Sequence, residues 1–269
     1  MSSASAPVEI GHVALTVRDI DRVCAFYESA IGLRPIAAEG GVRTLGAEGR
    51  PLLELRAEPA ARVGDGHEAG LFHTAFLLPS RADLAAWLLH AAALRLPIQG
   101  AADHLVSEAI YLSDPEGNGI EIYRDRPRNE WPRQNGRIRM ATGPLDLHRL
   151  AADAARPWTG APAGTVVGHV HLQVGDLAVA EDFYAGALRF DLVTRYPGAA
   201  FFSSGGYHHH LAANVWNSRG AGPRSAGVAG LAEVGLLADA PDHDRLQEIL
   251  GSQGADPWGI CMTVSRKGA

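Results

Sequence analysis

Two matching segments 157 positions apart limit this chain more than any other feature. Residues 10–35 read IGHVALTVRDIDRVCAFYESAIGLRP, and residues 167–192 read VGHVHLQVGDLAVAEDFYAGALRFDL. The constant offset superposes Gly11 on Gly168, His12 on His169, Leu15 on Leu172 and Val17 on Val174. It also superposes Asp19 on Asp176, Phe26 on Phe183 and Tyr27 on Tyr184. Self-similarity at a fixed offset means a duplicated folding unit. The expected division is a first domain over 8–126, a polar, Pro-rich and Trp-bearing linker over 127–164, and a second domain over 165–266.

Within the first copy, His12 to Val17 alternates as a strand with two unlike faces does. Asp19 can cap a helix running through Phe26, where Val23, Phe26 and Tyr27 share one apolar face. The helix is expected to end near Gly32, and strands over 43–45 and 52–56 follow. The pattern then restarts. Residues 71–78 form a strand, and Ser80 opens an amphipathic helix over 82–94. Strands over 106–111 and 120–123 flank the turn Asp114-Pro115-Glu116-Gly117-Asn118, whose Asp-Pro and Gly-Asn pairs are turn chemistry. The unit is β-α-β-β-β, used four times. The expected class is α+β with curled mixed sheets.

Composition removes several functions. The formal charge is 24 − 30 = −6 with no basic stripe, which argues against nucleic acid. The most apolar stretch, 84–98, carries His90 and Arg95 and is too short to cross a bilayer, so no membrane partner is expected. The opening MSSASAPVEI lacks a basic segment followed by an apolar run, so no secretory signal is expected. Two cysteines, Cys24 and Cys261, make no disulfide framework and fit a reduced cytoplasmic setting. Homo-oligomerisation is left open.

His12 and His73 fall on the first strands of units one and two, and Glu121 on the last strand of unit two. A sheet of two units curled into a cup would bring these three inward-facing positions together. Two imidazoles and one carboxylate on a face with open positions suit Fe(II), while Mn, Zn and Ni are chemically allowed. Glu54, on the last strand of unit one, could join them or pair with an Arg at the rim.

These residues resemble the vicinal oxygen chelate superfamily, which includes glyoxalase I, bleomycin-resistance proteins and type I extradiol dioxygenases. The resemblance spans nearly the whole chain. It is nearest to bacterial two-domain proteins of catechol 2,3-dioxygenase type, through HLVSEAIYLSDPEGNGIEIY, GHVHLQV and GGYHHHLAANVW. The extradiol pattern is a His, an apolar-Tyr pair, Asp-Pro-x-Gly and the ligand Glu. His104, Ile110-Tyr111, Asp114-Pro115-Glu116-Gly117 and Glu121 follow it, and Ala102 departs from it. The resemblance implies that His12, His73 and Glu121 bind Fe(II). It also implies that Tyr111 and His104 act on the substrate, a catechol or substituted catechol opened beside the diol by dioxygen.

Two departures follow. The well-studied extradiol enzymes hold iron in the C-terminal domain and carry an acid–base His between the two ligand histidines. Here the set is expected in the N-terminal half, with only His67 in that interval. The second half keeps His169, but Glu233 and Thr263 fall at the positions of His73 and Glu121. His208 and His210, with His169 and His171, could form a second metal site, a structural cluster, or a cover that supplies the missing proton-transfer group. Phe72, Phe76, Trp131 and Trp216 are candidate pocket residues. The alternatives to ring cleavage are a glyoxalase-type isomerase or lyase using Glu54, and a non-enzymatic binder of a small aromatic or drug.

Overall fold

A computed structural model describes residues 6–251 and 254–268. Unit one comprises β1 (Val8–Val17), α1 (Ile20–Phe26), β2 (Arg34–Glu39), β3 (Val42–Ala47) and β4 (Arg50–Ala57). Unit two comprises β5 (Gly70–Leu77), α2 (Arg81–Ala93), β6 (Gly100–Asp103), β7 (Ser107–Ser113) and β8 (Gly119–Asp125). The connection holds three short strands, β9 (Arg133–Gln134), β10 (Arg137–Ile138) and β11 (Gly143–Pro144), then α3 (Leu147–Ala151). Unit three is β12 (Val166–Gln173), α4 (Leu177–Glu181), β13 (Asp191–Tyr196), β14 (Ala199–Ser203) and β15 (Leu211–Asn214). Unit four is β16 (Gly230–Ala238), α5 (Ala240–Leu250), β17 (Gly254–Ala255) and β18 (Cys261–Arg266).

Local chemistry sets these boundaries. The Asp19 carboxylate accepts from the Arg22 N–H, and Ser80 Oγ accepts from the Asp83 N–H, so each caps a helix start. Past α1 the chain makes a π-helical turn over Tyr27–Ile31 and stops at Gly32, whose φ of 78° only glycine adopts freely.

The strands form two large mixed sheets. One has seven strands in the order β17-β18-β16-β1-β4-β3-β2. The other has nine, in the order β11-β6-β7-β8-β5-β12-β15-β14-β13. The units that share a sheet come from different halves of the chain: one with four, and two with three. At the seams β1 runs antiparallel to β16, and β5 antiparallel to β12. One continuous apolar core links the sheets, from Val13 and Leu15 to Leu172, Val234 and Met262. Units of the same half are tied otherwise. The Tyr27 hydroxyl donates to Asp114 at 3.4 Å, and the Tyr184 hydroxyl to Asp256 at 2.7 Å. The repeated Tyr of the Phe-Tyr pair thus reaches the Asp of the next unit's Asp-Pro turn, with both partners buried.

The repeated Gly-His pair has a steric reason. Register shifts on both seam strands leave Gly11 and Gly168 as extra residues just before their histidines, as β-bulges do. A Cβ on Gly168 would fall 1.8 Å from the Tyr123 hydroxyl, and one on Gly11 2.8 Å from Leu237 Cγ. Each bulge lets a facing side chain press against the backbone beside the histidine.

Candidate active site

Cross-strand register in the nine-stranded sheet assembles the site. Tyr111 pairs with Glu121, Glu121 with Ala75, and Ala75 with His169. Residues opposite one another in neighbouring strands share a face, so these four form one row. His73 stands two residues from Ala75 and therefore points to the same side. Its own row runs through His171 and Ala212 to Phe201. His73, Glu121 and His169 converge, with ligand atoms all within 4.8 Å of one another. His169 Nε2 lies 3.2 Å and His73 Nε2 3.0 Å from the same Glu121 oxygen. All three side chains are buried.

This arrangement corrects the expectation for His12. Units one and two lie in different sheets, and His12 is not among the residues that converge with His73. In the seven-stranded sheet the corresponding row is Thr263, Gly235, His12, and Glu233 takes the place of His73. There the Arg56 guanidinium bridges Glu54 at 2.6 Å and Glu233 at 2.7 Å. Thr263 Oγ1 donates to Glu233 at 2.7 Å, and His12 Nε2 lies 3.5 Å away from it. The His12 hydrogen bond, with Thr263 and Arg56, holds the Glu233 carboxyl at about 2 against the effect of burial. Glu54 accordingly pairs with an Arg in the other sheet and lies outside the convergent set.

The donor chemistry of the convergent trio fits a divalent metal. Burial pushes His169 down to about 4, so it is neutral at pH 7 with a free lone pair, as a metal-binding imidazole must be. Burial works against ionisation of Glu121, but the nearby His169 and His73 outweigh it and keep the carboxyl well below its usual range. The His73 Nε2 atom is buried and makes no hydrogen bond of good geometry, although it is aimed at Glu121. Two nitrogens crowded on one oxygen gain from a cation between them.

Beside the trio lies a cavity of about 450 Å³. His104 and Tyr111 both line it, with His104 Nε2 2.6 Å from the Tyr111 hydroxyl. His104 Nδ1 lies 2.9 Å from the Ala141 carbonyl, which can only accept, so this nitrogen carries the proton. In the neutral ring Nε2 is then the acceptor, and the Tyr111 O–H donates to it. Burial, reinforced by the Glu121 charge, keeps the Tyr111 phenol well above its usual pKa and therefore protonated. Phe72 lines the cavity because the seam register shifts there, leaving it the extra residue of a bulge. Trp216 also lines it, whereas Phe76 is fully buried in the core and Trp131 packs on the His208 ring at 5.2 Å.

The histidine run lies just before β15, outside any strand, so alternation does not apply to it. His209 is the member that lines the cavity, its ring 4.0 Å from that of His169. His208 instead links His209 at 2.8 Å to the Asp125 carboxylate at 2.8 Å. His210 Nδ1 accepts from the Ser204 N–H at 3.2 Å. The second-metal alternative thus loses its members to other tasks, and His73-Glu121-His169 is the one metal-type group found among the described residues. His67 sits in a loop with Nδ1 2.9 Å from the Asn217 carbonyl, and it does not line the cavity.

A model of the glyoxalase/bleomycin resistance protein/dioxygenase superfamily matches residues 9–122 and 166–258. The chain belongs to that superfamily. Over 237 residues it is 41% identical to a catechol-2,3-dioxygenase of Bacillus subtilis, covering 86% of this chain and 83% of the relative. The chain is thus a dioxygenase-like oxidoreductase of the superfamily. Its fold is shared with a Bacillus subtilis crystal structure described as that of a candidate dioxygenase, at TM-score 0.66 and 14% identity, covering 97% and 86% of the two chains. Maize glyoxalase I has the same fold at TM-score 0.57 and 16% identity, covering 97% and 93%. No helix among the described residues is long and apolar enough to cross a membrane.

Sequence reasoning missed His169 as the third member of the set and His209 as a cavity residue. The signal for His169 was present, since it superposes on His12. What the repeat does not encode is which units share a sheet.

Proposed function

We propose that this chain is an extradiol ring-cleaving dioxygenase, using Fe(II) held by His73, Glu121 and His169 to open a catechol beside its diol. The observation that carries this is the juxtaposition of a two-His, one-carboxylate set with the His104–Tyr111 pair on the wall of one cavity. Such a facial set with open positions suits ferrous iron. Once bound, the metal supplies Lewis acidity toward two vicinal oxygens and redox access to dioxygen.

The chain's own groups handle the protons. With its O–H given to His104, the Tyr111 oxygen presents lone pairs to a diol hydroxyl. A proton leaving the diol can pass to Tyr111 while the Tyr111 proton passes to His104 Nε2. On the opposite side, Asp125 orients His208, whose remaining nitrogen accepts from His209 Nδ1 and leaves His209 Nε2 as a free base. Burial keeps His209 neutral, well below the usual imidazole pKa, so its Nε2 lone pair is available. His209 fills the acid–base role that the interval between His12 and His73 lacked. The buried His171 imidazole and the half-buried Phe72 and Phe201 rings packed against it make this wall of the cavity aromatic.

The test is anaerobic loading with Fe(II), followed by catechol and air. One dioxygen should be consumed per catechol, with a yellow ring-opened product absorbing in the near-visible. Iron bound at His73, Glu121 and His169 with no cleavage across a panel of catechols would sink the proposal.

A further inference from the structure

The cavity is larger than a bare catechol needs. Catechol has six carbons and two oxygens, whereas about 450 Å³ lies within the range that houses drug-sized ligands. The extra space has a direction. From His73 the next ring is Phe72, at 5.3 Å between centroids, and from Phe72 the next is Trp216, again at 5.3 Å. His171 closes the same wall, 5.0 Å from Phe72 and 5.4 Å from Trp216. An aromatic path therefore runs from the metal-type set to the cavity mouth, where Trp216 is 45% exposed. Trp216 is fixed there. Its indole N–H donates to the Pro197 carbonyl at 2.9 Å, and its backbone N–H to Asn214 at 3.2 Å. A large apolar ring held rigid at a mouth is a stacking platform waiting for a flat partner.

Charge narrows the partner further. Arg195 is the one Arg or Lys in the cavity lining. Its fork is taken by the Glu181 carboxylate in two parallel hydrogen bonds of 2.7 and 2.6 Å. Among the described residues no other Arg or Lys lines the cavity to receive an acidic group on the substrate, and the wall toward Trp216 is built of aromatic rings.

We infer that the substrate is a catechol bearing an uncharged, flat apolar substituent, of aryl size, that stacks on Trp216. This rests on the ring-cleaving assignment above and adds a specificity-determining residue to it. Trp216 touches the substituent and not the diol.

The probes are catechol, 3-phenylcatechol and 3,4-dihydroxybenzoate. Dissociation constants come from calorimetry under argon with the Fe(II)-loaded protein, and kcat/KM from product formation in air. The phenyl compound should bind at least about tenfold more tightly than catechol, since one good ring–ring contact with its burial is of that order. The carboxylate should bind more weakly than catechol. Trp216→Ala should lose about tenfold on 3-phenylcatechol and less than about twofold on catechol, and Trp216→Phe should recover most of the loss. Equal affinities for the three compounds, or an equal loss on catechol and 3-phenylcatechol in Trp216→Ala, would overturn the inference. Cleavage of catechol without discrimination would leave the assignment standing and remove this inference. Tight, Trp216-dependent binding of 3-phenylcatechol without cleavage would do the reverse.

Discussion

Gly168 is the position where fold and site depend on each other most tightly. In Gly168→Ala the added methyl would lie 1.8 Å from the Tyr123 hydroxyl, 2.8 Å from Tyr123 Cζ and 3.1 Å from Leu77 Cβ. Tyr123 cannot swing away cheaply. It is fully buried, its hydroxyl is bonded to that of Tyr207 at 2.8 Å, and its ring sits 4.9 Å from the His169 ring. Overpacking costs about 1–3 kcal/mol, and a broken buried hydroxyl pair adds about 1–3. The expected loss is therefore about 2–6 kcal/mol, or roughly 4–24 °C in Tm for a chain of this size. Displacing Tyr123 also removes a wall of His169, so metal affinity should fall about 10–100-fold, as when a ligand's support is lost. Urea unfolding gives the first quantity, and competition with a chelator the second. Tyr123→Phe in the same chain removes the atom at 1.8 Å, so the double variant should recover about 1–2 kcal/mol relative to the sum of the singles. Gly186→Ala is the control, because its nearest neighbour atom would be 4.0 Å away. A Gly168→Ala variant within about 0.5 kcal/mol of the parent, or exact additivity with Tyr123→Phe, would refute the reasoning.

Other outcomes follow from the same geometry. Tyr111→Phe should keep its metal and lose about 10²–10⁴-fold in kcat, as removal of a proton-handling group does; metal analysis with steady-state kinetics checks this. Glu54→Gln should leave ring cleavage within about twofold, because surface-type ion pairs contribute little and Glu54 faces Arg56 in the other sheet; loss of activity would restore the glyoxalase-type alternative. Glu233 sits at about 2 when folded against an ordinary 4.5, so its stabilisation is fully present above about pH 4.5 and fades as pH falls toward 2. Glu233→Gln should flatten that acid limb in a Tm-against-pH series, and an unchanged limb would contradict the assignment.

Much of the fold was legible because each device that makes it is local. The Gly-His pair, the Asp caps and the Asp-Pro turns recur at a fixed offset, and each has a steric or hydrogen-bonding cause within a few residues. His73 and Glu121 could be placed on inward strand faces from the repeated unit, and His104 and Tyr111 from the order of the motif that the chain resembles. The partner of a seam strand is a different kind of fact. His12 and His169 open identical units, and both carry an apolar strand pattern, so either could face His73. Only the pairing of β5 with β12 decides between them. His209 is not legible in the sequence because residues 207–210 lie outside the strands, where no alternation says which side chain faces the cavity. Phe72 owes its place to a bulge, which a period of two does not anticipate.

The central claim is that His169, and not His12, completes the metal set with His73 and Glu121. The most direct measurement is iron content per chain after anaerobic reconstitution and desalting, for the parent, His12→Ala and His169→Ala, each with circular dichroism to confirm folding. About one iron per chain should remain in the parent and in His12→Ala, since one three-ligand set is intact in both, and His169→Ala should retain little. Retention in His169→Ala together with loss in His12→Ala would contradict the claim.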